Sequence, residues 1–340
     1  MTDKFRNIFL AFGIIAIIIM LCTFEMDYAE LWHNLKKAGF WFPAVLLLWV
    51  LIYGMNALSW YVIICDGEHT KISFWRVYKL TISGFALNYA TPVGLMGGEP
   101  YRIMELTPYV GVNKATSSVI LYVMTHIFSH FWFWLLSALA FLILMRPTDV
   151  FLLLIFGILI SVCVLAIYFF LKGYKNGMAV RTLQLLTHIP FIKRWSVRFL
   201  EEKREDLERI DAQIASLHKQ RKSTFYMALL LELGARIVGC WEVYFILSIL
   251  TTDVSFLHCI FIMAFTSLFA NLFFFSPMQL GAREGGFAIA TGGLAISAAF
   301  GIYTGLITRV RELIWIVIGV LLMKVGNKKV AENNEINGND

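Results

Sequence analysis

The sequence predicts an all-α polytopic membrane protein with about six to eight transmembrane helices, two of its segments being broken or re-entrant and related as an inverted repeat. Three observations lead there. The 340-residue chain is 59% hydrophobic and 15% charged, against about 45–50% and about 25% for a soluble domain. Apolar runs recur at 8–22, 42–65, 116–145, 150–171, 224–250, 256–276 and 301–323, several of them near the roughly 20 residues that span a hydrocarbon core. Two stretches, "NYATPVGLMGGEPYR" and "NLFFFSPMQLGAREGG", interrupt this pattern with prolines, glycines and charges.

Taken in order, Lys4 and Arg6 precede the run 8–22. The following "CTFEMDYAE" lacks a small-residue cleavage pattern, so 8–22 reads as a retained first helix rather than a signal peptide. Residues 1–330 form one integral membrane domain, with halves at about 40–171 and 222–325. A basic segment, 172–222, joins the halves, and 331–340 is a disordered polar tail. The joining segment carries twelve Lys or Arg against six Asp or Glu, which places it in the cytoplasm. Its Leu200, Leu207, Ile210, Ile214 and Leu217 follow helical spacing and mark an amphipathic helix. Lys324, Lys328 and Lys329 place the C-terminus on the same side, and Lys4 and Arg6 the N-terminus. The cysteines, at 22, 65, 163, 240 and 259, have no metal-binding spacing and read as packing residues.

Parity of crossing accounts for the two interruptions. The link 66–79, with Lys71, Arg76 and Lys79, lies inside. Residues 150–171 must end inside, so 116–145 runs outward and 79–115 begins and ends on the cytoplasmic face. The apolar part, "FWRVYKLTISGFALNYA", is barely long enough for one crossing. A hairpin that enters, turns and returns satisfies the count. The same reasoning gives 251–300 a hairpin from the outer face. Paired short crossings satisfy the same parity.

The two interruptions also resemble each other. Asn88 precedes Pro92, and Asn271 precedes Pro277; Glu99 and Glu284 each lie seven residues beyond their proline. Arg102 follows the first glutamate and Arg283 precedes the second. Irregular backbone at membrane depth must be buried in protein or line a wet cavity. A charge at the helix centre costs about 2.5–3.5 kcal/mol on insertion scales. Glu99, Arg102, Arg283, Glu284, Arg309 and Glu312, with Asn88 and Asn271, are therefore the candidate substrate-binding or translocation residues. Arginine holds phosphate through two parallel hydrogen bonds, so Arg102, Arg283 and Arg309 can gather around one lipid headgroup. The carboxylates can orient these arginines or carry protons.

Secondary candidates are His126 and His130, four apart on one helix face, and Glu232 and Arg236, which can pair along one helix. The histidines lack a third ligand, so no metal and no cofactor is expected. No nucleophile–base set has useful spacing, so catalysis is not expected.

"GGEPYRIMEL" and "SPMQLGAREGGFAIATGGL", followed by "TRVRELIWIVIGVLL", resemble the flippase-like transmembrane family. This is the membrane region of lysylphosphatidylglycerol synthases, which also occurs as stand-alone proteins. Gly98, Glu99 and Arg102 match its Gly-Glu-x-x-Arg element. Pro277, Gly281, Arg283, Glu284 and Gly285 match its Pro-x-x-x-Gly-x-Arg-Glu-Gly element, and Arg309 its late-helix arginine. Pro100, directly after Glu99, and "SPMQL" around Pro277 depart from the family pattern. The resemblance covers about residues 5–325 and implies movement of a lipid between leaflets, without the aminoacyltransferase domain of the full-length synthases. The lipid would be an anionic phospholipid, a modified lipid or a lipid-linked sugar, moved in the cell (inner) membrane. The expected partners are this phosphate-bearing lipid, the membrane and a second copy of the chain, with no nucleic acid. An intramembrane lipid-modifying enzyme and a membrane scaffold or regulatory subunit are the alternatives.

Overall fold

A computed structural model describes residues 39–67, 70–90, 97–173, 221–273 and 281–324, with Arg204 and Gln279. The expected first helix at 8–22, most of the basic segment 172–222, the polar tail, Pro92 and Pro277 lie outside the described residues.

The described chain is helical. It comprises α1 (Trp41–Cys65), α2 (Phe74–Ala90), α3 (Gly98–Val110), α4 (Val112–Met145), α5 (Val150–Gly173), α6 (Lys222–Leu247), α7 (Phe256–Leu272), α8 (Ala282–Gly293) and α9 (Ala298–Leu322). Among these, α1, α4 and the Val150–Leu171 part of α5 are long and apolar enough to cross a membrane. The chain is an all-α, multi-pass membrane protein. Helices α6 and α9 have the length, 26 and 25 residues, but carry Glu232, Arg236 and Glu242, and Arg309, Arg311 and Glu312, along their course. Bilayer hydrocarbon is costly for such groups, and these helices turn most of them inward: Glu232, Glu242, Arg309, Arg311 and Glu312 are all buried.

Four helices are too short to span alone. Helix α2 has 17 residues and α3 has 13; α7 has 17 and α8 has 12. At about 1.5 Å per residue these measure about 25, 20, 25 and 18 Å, short of a hydrocarbon core of about 30 Å. The breaks between them coincide with the two Pro/Gly-rich stretches.

The order long, short, short, long therefore occurs twice, as α1–α4 and as α6–α9. The packing repeats as well. Helix α1 packs on α6; α2 and α3 pack together, as do α7 and α8; α3 lies on α4, and α8 on α9. Across the halves, α2 packs on α9, and α7 on α4. Each short pair is thus gripped by the long helix of its own half and by that of the other. Helix α5 joins this frame through α4 and is the least buried of the three apolar spans.

The contact of α2 with α9 fixes the two breaks relative to each other. A methyl added at Gly319 would lie 2.5 Å from Ala86 Cβ and 2.9 Å from the Ile82 carbonyl oxygen, so only glycine permits this approach. Ser83 Oγ donates to the Gly319 carbonyl at 2.9 Å. Ala86, Ile316 and Val320 complete the apolar seam, with Tyr89 and Leu313 against it.

Candidate functional site

The first break is organised by Asn88, the third-last residue of α2. Its Oδ1 accepts from the Gly98 amide at 2.6 Å, and its Nδ2 donates to Glu99 Oε1 at 2.9 Å. The opening amide of α3, which has no helical partner, is thereby satisfied by a side chain from the preceding helix. Glu99 Oε1 is also 3.6 Å from Arg102 Nη1. Arg102 is 1% exposed, and its Nη2 donates to the Thr81 carbonyl at 3.3 Å. The rings of Phe85, Tyr122 and Trp60 surround its guanidinium, with centroids 4.9, 5.4 and 5.8 Å from Cζ. The arginine fits because residue 84 is glycine: a methyl there would collide with the guanidinium.

The second break repeats the logic with other residues. Glu284 Oε2 accepts from the Gly281 amide at 3.0 Å, closing the start of α8. Its Oε1 accepts from Arg309 Nε at 2.7 Å. Arg309 reaches back into the break, donating from Nη2 to the Gln279 carbonyl at 2.9 Å. It also donates from Nη1 to Glu312 Oε2 at 3.2 Å. Glu312 receives Arg283 on its other oxygen, and Arg311 Nη1 stands 3.7 Å away. Arg311 is in turn held by Glu242 of α6, from Nε at 2.8 Å and Nη2 at 3.1 Å. Trp49 of α1 lies under Arg311, its centroid 3.7 Å from Cζ, and its Nε1 donates to Glu242 Oε2 at 3.0 Å. Arg283, Arg309 and Arg311 thus interlock with Glu242, Glu284 and Glu312 in a network of zero net charge. Such balance is what permits buried charges to persist.

Tyr89 connects the two breaks. It follows Asn88 directly, and it stands beside Arg283. Consecutive residues of α2 thereby touch Glu99 on one side and the arginine of the other half on the other.

A third polar cluster joins α4 and α6. His126 Nδ1 is 2.7 Å from Glu232 Oε2. Arg236 donates from Nε to Ser129 Oγ at 2.8 Å and from Nη2 to the His126 carbonyl at 2.9 Å. The expected pairing of Glu232 with Arg236 along one helix face is replaced by these contacts across two helices. The reason is packing: α4 lies against α6, and an interhelical partner inside a bundle outcompetes the i, i+4 neighbour. His130 meets His126 edge to face, with ring centroids 5.5 Å apart. Among the described residues, no group of three His, Cys, Asp or Glu is arranged to hold a metal ion.

The expected residues therefore fall into separate places. Arg283, Glu284, Arg309 and Glu312 come together, and Asn88, Glu99 and Arg102 come together. Arg102 does not share the cluster of Arg283 and Arg309; its guanidinium is enclosed within its own half. Asn271 does not reproduce the bond of Asn88, since its Nδ2 donates to the Ser267 carbonyl of its own helix at 2.7 Å. Exposure further separates the residues. The side chains of Glu99, Arg283 and Glu284 are 23%, 20% and 16% exposed, whereas those of Arg309, Arg311 and Glu312 are at most 4%. Sequence reasoning did not single out Tyr89 and Trp49 as site residues, because nothing in a helical run of tyrosines and tryptophans marks the one that meets a buried arginine.

The chain matches the family model described as "Lysylphosphatidylglycerol synthase TM region" over residues 8–319. No curated protein and no solved structure matches it.

Proposed function

The chain belongs to the lysylphosphatidylglycerol synthase TM-region family, and from that premise we propose that it moves a lipid with a phosphate-bearing headgroup between leaflets. The observation that carries this reading is the meeting of the two broken helix pairs at α2 and α9. There Arg283, accessible and held by Glu312, stands beside Tyr89, next to the asparagine that closes the other break. Two short helices, α3 and α8, begin at the breaks, and their first turns already hold Glu99 and Glu284. A planar guanidinium beside them suits a phosphate.

In this reading Arg283 contacts the headgroup, and Glu99 and Glu284 border its path. Arg102, Arg309 and Arg311 hold the breaks in shape from within. The acyl chains stay in the bilayer while the headgroup crosses between the halves. The protein works in the cell (inner) membrane with both termini cytoplasmic, as the basic segment 172–222 and the C-terminal lysines indicate.

The test is reconstitution of the purified protein into liposomes holding fluorescent phospholipids in both leaflets, with a membrane-impermeant quencher added outside. Transport appears as continued quenching of lipid that began in the inner leaflet. Wild type exposes the inner-leaflet pool, and Arg283→Lys, which keeps the charge that balances Glu312 but not the planar guanidinium, abolishes this. Equal rates for wild type and protein-free liposomes across zwitterionic, anionic and polyprenyl-phosphate lipids would remove the reading.

A further inference from the structure

The described carboxylates along the helices differ in what holds them. Glu312 is gripped by Arg283 and Arg309, Glu284 by Arg309, and Glu242 by both arms of Arg311. Glu99 rests on Asn88 and Arg102. Glu232 differs from these in its partner. It is 1% exposed and its hydrogen-bonded neighbour is the imidazole of His126; like Oε2 of Glu99, its second oxygen, Oε1, is buried with no hydrogen-bond partner. A carboxylate fastened to guanidinium groups keeps its charge, because guanidinium does not give up its proton. A carboxylate fastened to imidazole sits beside a group that changes charge near neutral pH. The His126 side chain is 31% exposed and that of Glu232 1%, so the pair lies at the edge of the packed helices rather than sealed within them.

We propose that Glu232 and His126 form a proton-binding pair that couples a proton gradient to lipid movement. A proton from water adds to the imidazole of His126, and the resulting imidazolium donates from Nδ1 to the Glu232 carboxylate. On release, the proton returns to water and the neutral ring keeps its Nδ1–H on the same oxygen. With Arg236 counted, the cluster alternates between a net charge of one and none. Arg236 lies within electrostatic range of Glu232, so the deprotonated pair does not leave a buried negative charge unbalanced.

The charged and titratable surroundings are defined. Arg236 shares α6 with Glu232, and His130 and Tyr122 share α4 with His126. Arg236 acts on His130, and Glu232 on Tyr122. Arg102 and Glu99 of α3 act on Tyr122, and Tyr89 of α2 on Arg236. Helix α1, packed against both α4 and α6, has no Asp, Glu, Lys or Arg; the charged neighbours of its Tyr53 are Arg311, Glu312 and Glu242. Helix α7, also packed on both, has His258 and Cys259 as its titratable side chains, and α5, packed on α4, has Cys163, Tyr168 and Lys172.

Coupling has a physical route. Phe85 of α2 touches both sites, its ring 6.1 Å from that of His126 and 4.9 Å from Arg102 Cζ. Charging His126 therefore acts on the helix that carries Asn88 and Tyr89 in its last turn.

The coupling half of this inference rests on the lipid-movement reading; the proton-binding half does not, and two measurements separate them. The first follows 15N-histidine resonances of the full chain in lipid nanodiscs between about pH 5 and pH 8. His126 is assigned by loss of its signal in His126→Gln. Its response to pH is expected to differ between wild type and Glu232→Gln. The second imposes a pH gradient across the liposomes of the transport assay. Wild-type movement should accelerate, and both variants should lose the acceleration while keeping movement at zero gradient. Should either glutamine variant fail to fold, Glu232→Asp and His126→Asn serve in its place. A His126 midpoint indifferent to residue 232 overturns the proton-binding pair. Full acceleration in the variants, or none in a wild type that moves lipid, overturns the coupling. A moving midpoint in a protein that moves no lipid upholds the pair and removes the transport reading instead.

Discussion

Replacing Glu312 by glutamine should be among the most destabilising single substitutions in this chain. Glu312 is 4% exposed and serves three guanidinium groups: it accepts from Arg283 and Arg309, and Arg311 lies 3.7 Å away. Glutamine keeps the shape and one acceptor oxygen. It removes the charge and places an amide NH₂ where an arginine donates. Two hydrogen bonds to charged groups are weakened, each worth about 1.5–3 kcal/mol. The network moves from neutral to one uncompensated buried positive charge. Breaking a buried pair from one side costs about 3–5 kcal/mol, and the hydrogen-bond count gives a similar figure. The assay is equilibrium unfolding in mixed micelles, followed through the fluorescence of the chain's 10 tryptophans. Adding Arg283→Gln to Glu312→Gln restores neutrality, so the double variant should recover at least about 1 kcal/mol against the sum of the singles. A Glu312→Gln protein as stable as wild type, or strictly additive effects, would refute the neutral-network argument.

Three further outcomes follow from the same contacts. Gly84→Ala should cost about 1–3 kcal/mol as an overpacked site, measured by the same unfolding, because the added methyl meets the Arg102 guanidinium; combined with Arg102→Ala the cost should shrink. Asn88→Ala should cost about 1–3 kcal/mol by leaving the buried Gly98 amide unpaired, and hydrogen exchange at the start of α3 should rise. Replacing Glu242 and Arg311 together, as Leu and Met, should leave stability unchanged or raise it by about 1–4 kcal/mol, whereas Arg311→Met alone destabilises; equal losses in the single and double variants would show that the pair matters through packing.

The architecture was largely legible in the residues. The 17-residue, mostly apolar stretch "FWRVYKLTISGFALNYA" coincides with α2, and the Pro/Gly stretches fall at the two breaks, because local chemistry decides where a helix cannot continue. The contacts of Asn88 and Glu284 are local for the same reason: each accepts from a helix-start amide within about a dozen residues of itself. Long-range pairing was not legible. His126 and Glu232 lie 106 residues apart, and Arg311 and Glu242 lie 69 apart. Spacing rules describe neighbours along one helix surface, whereas a buried charge takes whichever partner the neighbouring helix presents. Arg102 shows how far this goes. Its type and place suggested a headgroup contact, yet a glycine one helix away opens a slot that draws its side chain inward.

The breaks consequently carry two layers of charge with different consequences. Arg102, Arg309, Arg311 and Glu312 have their partners within the protein and lie out of contact with the surroundings. Changing one leaves another buried group uncompensated, so the penalty falls on folding. Glu99, Arg283 and Glu284 keep roughly a fifth of their side chains accessible, and of the three only Arg283 can donate a hydrogen bond, so in the proposed transport it is the group an anion would meet without dismantling the core. Arg283 stands at the junction of the layers, since Glu312 holds it from the inner one. In the proposed transport, a phosphate arriving at Arg283 would therefore compete with Glu312 for the same donors. A partner swap of that kind conserves hydrogen bonds while transferring charge from a carboxylate to a headgroup, and it requires the guanidinium that arginine offers. Arg283→Lys should accordingly retain folding yet lose transport, while Arg309→Lys should lose folding first.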